Sequence, residues 1–227
     1  MARAAVSETW ATRRRARSGH VNATVAETIW RRLLLAVEHG ESAAAVNVNT
    51  GQTESRAGLR EFEPFFHAHQ RDIFTYLWRM TGDEQAAYDL TQETFLRAWR
   101  HFAKVRDYER PGGWLFRVAT HLALNHLRGR ATALGKAVSL DTLTIANGVT
   151  AVATSADYAS HIADADTVRR ALMGIAPRHR AALVLREVYG FSCEEVAVAL
   201  GVSTGAAKTL LWRARSDFRD RYREEAR

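Results

Sequence analysis

Cysteine is almost absent: the 227-residue chain holds one, Cys193. A disulfide framework needs pairs and a cysteine-based zinc site needs several ligands, so a disulfide-stapled scaffold and a zinc finger are both excluded. Proline occurs three times, and β-branched residues rarely alternate with polar ones, which argues against sheet structure. No run approaches the roughly 18 apolar residues of a membrane span, because the most apolar N-terminal stretch, residues 33–37, directly follows Arg31 and Arg32. A soluble, cytoplasmic chain with no membrane insertion is therefore expected. Phosphate-cradling glycine loops are missing too, since Gly112-Gly113 is not followed by Lys and Ser or Thr. The nine histidines include the pairs His67/His69 and His121/His126, but neither has the i, i+4 spacing of a helical chelate and no carboxylate cluster accompanies them. These absences predict no catalytic group, no metal and no cofactor.

What remains is a helical, basic chain. Hydrophobic residues make up 47%, too many for wholesale disorder, and the net charge is +7. The charge is segmented: 9 basic and 5 acidic groups in residues 1–60, 10 and 9 in 61–130, 1 and 4 in 131–166, 5 and 3 in 167–202, and 7 and 4 in 203–227. Apolar residues recur at helical steps in two blocks, which predicts an all-α fold of two small helical domains joined by a flexible linker. The first block, within residues 59–130, has Phe62, Phe65, Phe66, Ile73, Tyr76, Leu77 and Met80 on one stripe. Gly82 ends that helix and Asp83 caps the next, whose stripe runs through Ala87, Leu90, Thr94, Ala98 and Phe102. Pro111 suits the start of a third helix, with Leu115, Val118, Leu122 and Asn125 on one side. Periodicity dissolves over residues 131–165, the expected linker, and resumes over 166–227 in four short helices. Residues 1–58 are expected to be largely disordered, with Thr24 to Glu27 opening at most a frayed helix through Ile29, Leu33 and Val37.

The most specific local pattern lies near the C-terminus. Ser192 and Glu195 have capping-box spacing. Ala197 is small where two helices must approach, Gly201 supplies a left-handed turn four residues later, and Ser203 caps the helix that follows. Val196, Leu200, Val202, Ala207 and Leu211 point inward, leaving Lys208, Thr209, Trp212, Arg213 and Arg215 on the opposite face. This is helix-turn-helix spacing with a basic second helix suited to a major groove. Lys and Arg can neutralise phosphate or read guanine, Thr can meet a base edge, and Trp can pack on a thymine methyl or a sugar.

Two blocks together resemble a bacterial RNA polymerase sigma factor of the extracytoplasmic function (ECF) type in the sigma-70 family. Region 2 resembles Phe62 to Arg130, above all Asp89-Leu-Thr-Gln-Glu-Thr-Phe-Leu-Arg-Ala-Trp99 and Trp114-Leu-Phe-Arg-Val-Ala119. Region 4 resembles Asp166 to Arg223. The resemblance implies binding to core RNA polymerase, through the largest-subunit coiled coil and the flap, and promoter-specific initiation at minus-10 and minus-35 elements. It places Asp89, Gln92, Glu93 and Phe95 on the polymerase-binding surface, although Glu93 also stands four residues before Arg97 and can pair with it. It assigns Arg106, Asp107, Tyr108, Arg117, His121, Asn125 and Arg128 to the minus-10 strand, and Ser203, Thr204, Lys208, Thr209, Trp212, Arg213 and Arg215 to the minus-35 duplex. An anti-sigma factor is an implied further partner. His121 stands where the family commonly has Asn, Asn125 where it has Asp, Leu210 where Arg is frequent and Ala207 where Val is usual. An autonomous helix-turn-helix regulator that binds duplex DNA without polymerase is the competing reading; it leaves the acidic and aromatic features of residues 83–128 unexplained.

Overall fold

The structure, a computed structural model, describes residues 29–31, 51–133 and 156–227. All regular structure among the described residues is helical. Helix α1, Gly51–Thr81, carries an aromatic-rich stripe in which Phe62, Phe66, Ile73, Tyr76, Leu77 and Met80 are completely buried. It stops because Gly82 turns left-handed at φ 67°, a conformation in which a side chain would be strained. Asp83 then accepts a hydrogen bond from the Ala86 amide and opens α2, Glu84–Arg100. A one-turn helix, α3 (Phe102–Val105), leads to α4, Pro111–Ala133, which packs across both α1 and α2.

The second half comprises α5 (Ala156–Met173), α6 (Pro177–Leu183, running into a π-turn over Val184–Val188), α7 (Cys193–Leu200) and α8 (Thr204–Glu225). The capping box at the start of α7 is complete: the Glu195 amide donates to Ser192 Oγ at 3.1 Å, and the Ser192 amide donates to Glu195 Oε2 at 2.8 Å. Gly201, at φ 66°, separates α7 from α8.

Three expectations are sharpened. Residues 29–31 are helical, as the frayed helix expected through Ile29 allows, with Ile29 fully buried and the Trp30 ring 5.0 Å from Phe66 and 6.4 Å from Phe62. A lone helix of this composition is marginal in water, but burial against an aromatic surface supplies the missing stabilisation. The expected capping box at Thr24 to Glu27, and Leu33 and Val37, lie outside the described residues. Helix also occupies both ends of the stretch read as linker, since α4 runs to Ala133 and α5 opens at Ala156; residues 134–155 lie outside the described residues. Finally, Asn125 is exposed and does not join Leu115 and Leu122 in the core. Helix α4 buries most of its circumference, including Leu115, Phe116, Ala119, Leu122, Ala123, Leu124 and Leu127. It does so because α1 and α2 cover one side and α7 another.

Arg180 on α6 is the largest fully buried side chain. Its Nη2 donates to the carbonyls of Met173 (2.8 Å) and Ile175 (3.2 Å), and its Nη1 donates to the carbonyl of Met80 at the end of α1. No carboxylate pairs with it among the described residues, and burial pulls its pKa down to about 10.

Candidate polymerase and nucleic-acid interface

On α8, Ala207, Leu211 and Ala214 repeat at steps of four and three and are buried, so the helix is locked by one face. The other face carries Lys208, Thr209, Trp212 and Arg213 into solvent, and the Trp212 side chain is 70% exposed. So large an exposed indole does nothing for the core, and it stands among cations on a helix whose N-terminus is presented by a glycine turn. The remaining expected members behave differently. Ser203 Oγ accepts from the Ala206 amide at 3.2 Å, so its hydroxyl serves as a cap. Thr204 is half-buried, and Arg215 donates through Nε and Nη2 to Glu187 Oε1 at 3.0 and 2.7 Å.

On α2, Asp89 is exposed and accepts from Gln85 Nε2 at 3.2 Å. Glu93 meets Arg97 Nε at 2.7 Å, and Gln92 is half-buried beside it. Asp89 and Glu93 share one face at i, i+4, and the pair with Arg97 is exposed, so its strength is small and a competing cation can displace it. Phe95 corrects the expectation: it is completely buried, edge-on to Phe66 at 4.8 Å and to Phe62 at 6.4 Å, and is therefore core rather than contact surface. Two positions after Glu93, it points to the opposite side of the helix, toward α1.

Between α3 and α4 the chain exposes Arg106, Asp107, Tyr108, Glu109 and Arg110 in succession. Arg106 reaches Glu61 of α1 at 2.5 Å, which ties this loop to the aromatic end of α1, while Tyr108 is 45% exposed. On α4, Arg117, Asn125 and Arg128 are exposed, and Arg128 Nη1 donates to Asn125 Oδ1 at 3.1 Å. His121 is half-buried. Its Nε2 lies 3.9 Å from where a β-carbon on Gly201 would stand, and burial, then Arg117 and Arg178, push its pKa below the ordinary histidine value. The expected minus-10 residues are thus spread over one loop and one helix, and His121 lies beside the turn of the other half.

Comparison with known proteins decides the family. Residues 65–132 match the family model of sigma-70 region 2, and residues 165–218 match that of sigma-70 region 4. The RNA polymerase sigma factor YlaC of Bacillus subtilis is 30% identical over 73% of this chain and 95% of its own length. The chain belongs to the sigma-70 family, as an ECF-type sigma factor. ECF RNA polymerase sigma factor SigG of Mycobacterium tuberculosis is 32% identical over 75% of this chain, which spans about half (51%) of that relative; for SigE of Mycolicibacterium smegmatis the values are 32%, 74% and 64%. The solved sigma factor RpoE of Bartonella quintana, in complex with the anti-sigma factor NepR, covers 72% of this chain and 98% of its own with a TM-score of 0.57 at 20% identity, a likeness of fold.

In this sigma factor the two matched regions touch. Tyr189, after the π-turn, donates to the carbonyl of Asp72 at 3.0 Å and accepts from Arg79 Nη1 at 3.3 Å. Glu195 on α7 pairs with Arg110 at the mouth of α4. Neither Arg110, Tyr189 nor Arg180 carries a sequence signal for these roles, because each partner lies roughly a hundred residues away or is a backbone carbonyl. Among the described residues there is no group of three or more potential metal ligands, and no helix is long and apolar enough to cross a membrane.

Proposed function

We propose that this chain is a promoter-specificity subunit: it binds core RNA polymerase in the cytoplasm and directs initiation at promoters with minus-10 and minus-35 elements. The observation that carries this reading is the outward face of α8, where Lys208, Thr209, exposed Trp212 and Arg213 follow a capped glycine turn. Residues 166–227 then act as the minus-35 module, with Arg215 reaching DNA once it leaves Glu187. Residues 59–130 act as the polymerase and minus-10 module, through Asp89, Gln92 and Glu93 toward an arginine-bearing coiled coil and through Arg106 to Arg128 toward unpaired bases. An exposed aromatic, Tyr108, flanked by charge suits a base that has left the stack. An anti-sigma factor is the natural inhibitor.

Purified protein mixed with core polymerase and a promoter library should yield specific transcripts. Lys208→Ala with Arg213→Ala should weaken minus-35-dependent initiation, lower its salt slope by about 2, and leave core binding intact. Tight duplex binding without any association with core would favour the autonomous regulator.

A further inference from the structure

We propose that Trp30 is a positioning residue for the strand-reading loop: its ring buttresses Phe62 in the first half of α1, and Phe62 in turn holds α3, from which Arg106 and Tyr108 follow. The proposal rests on the functional reading above, which gives that loop the minus-10 strand, and it assigns a task to a segment outside both matched regions.

The contact that seats this segment is apolar and directional. Ile29 is fully buried, and the Trp30 ring lies 5.0 Å from Phe66, 5.8 Å from His67 and 6.4 Å from Phe62, at 18° to the last. Aromatic rings at such separations attract beyond the area they bury, so the contact orients Phe62 as well as covering it. Phe62 is itself fully buried and meets Phe102 edge-on, at 5.0 Å and 87°. Phe102 is the first residue of α3, whose last residue, Val105, is fully buried. Arg106 comes next in the chain. The rings of Trp30, Phe62 and Phe102 therefore form one series that ends at the root of the loop.

The same stretch of α1 also grips the loop from outside. Glu61, one residue before Phe62, accepts from Arg106 Nη1 at 2.5 Å. Both side chains are at least half exposed, so this pair is worth little by itself, and it restrains the loop only while α1 around Phe62 keeps its place. Tyr108, 45% exposed, stands three residues past Val105. A base that stacks on it gains most when the ring is already held, because ordering the loop at the moment of binding costs conformational entropy. Removing the Trp30 ring opens one side of Phe62 and loosens its hold on Phe102. Trp30 thus acts on the strand through Phe62 and α3.

The test uses the full chain with Cys193→Ala and a nitroxide label at exposed Glu109→Cys in the loop, or at exposed Arg219→Cys on α8 as a reference. Trp30→Ala should raise the mobility of the Glu109→Cys label and leave the Arg219→Cys label as it was, and Trp30→Phe should restore the parental loop spectrum. Core polymerase and a promoter selected from the library by the parent supply the second readout. Trp30→Ala should lower initiation on the duplex promoter about tenfold, the scale of one to two aromatic contacts, with core binding retained. The same promoter premelted across its minus-10 element should lose less, since its bases no longer wait for the loop. Where Trp30→Ala does not fold, as judged by circular dichroism, Trp30→Leu keeps apolar bulk without the ring and is read the same way. Unchanged loop mobility in a helical variant overturns the proposal. So do two labels that loosen together, which make Trp30 a general stabiliser, and so does a mobile loop with undiminished initiation or an equal loss on the premelted promoter. A parent that gives no core-dependent transcript while its loop label still answers to Trp30 removes the promoter-specificity reading and leaves the positioning role.

Discussion

Two glycines make opposite predictions from one substitution. Gly201 sits at φ 66° in the turn between α7 and α8, and a β-carbon there would find its nearest neighbour, His121 Nε2, at 3.9 Å, an ordinary contact. Gly201→Ala therefore costs nothing by collision and everything by backbone conformation, about 1–2 kcal/mol for a left-handed L-residue. Gly129 lies inside α4, exposed, with nothing within 4 Å of a new β-carbon. Gly129→Ala should stabilise by about 0.5–1 kcal/mol, because alanine loses less chain entropy in a helix. A chain of this size shifts its Tm by roughly 2–4 °C per kcal/mol, so Gly201→Ala should fall by about 2–8 °C and Gly129→Ala should rise by about 1–4 °C. Thermal melts followed at 222 nm in one buffer decide it. Shifts of the same sign, or a neutral Gly201→Ala, would refute the claim that the turn is held by conformation rather than by space.

Other consequences follow from burial and charge. Phe95→Ala should cost about 3–5 kcal/mol and lower the urea midpoint, because it empties an aromatic core, whereas Asp89→Ala should leave the midpoint nearly unchanged while weakening core polymerase binding in a pull-down. Acidification should destabilise the fold. Burial, then neighbouring arginines, hold the pKa values of His121 and His126 below the ordinary 6.5. The unfolded chain therefore binds more protons than the folded one just below that value, and stability present above it is lost as pH falls through the window beneath. Urea midpoints at pH 7.5 and 5.5 should differ in that direction, and His121→Asn should shrink the difference.

Local chemistry was the legible part of this molecule. Gly82 with Asp83, Pro111, the Ser192 and Glu195 box, Gly201 and Ser203 act within five residues of themselves, so spacing alone locates them. The outward set on α8 was readable for the same reason, since its inward partners Ala207 and Leu211 mark the helix phase. The resemblance puts Phe95 with Asp89 and Glu93 on the polymerase-facing surface, but the two positions from Glu93 to Phe95 turn a side chain by about 200° along a helix, and Phe95 is buried. Trp30 was missed because its stability comes from Phe62 and Phe66 across the fold, which no window around residue 30 contains. Tyr189 and Arg180 look ordinary in sequence; what distinguishes them is a π-turn and a set of carbonyls, and neither leaves a residue-type signature.

Arg180 has a consequence for how the sequence can drift. A buried cation matched to a carboxylate binds two positions to each other, so that a mutation at either must be answered at its partner. Here the guanidinium is matched to backbone oxygens of Met80, Met173 and Ile175. Every amino acid carries that oxygen. The side chains of Met80 and Ile175 are held by the core they fill and not by the cation, so any residue that keeps the packing and ends the helix in the same place still presents the oxygen, and the joint between the halves is inherited through Arg180 and the length of a helix rather than through a co-evolving charge pair.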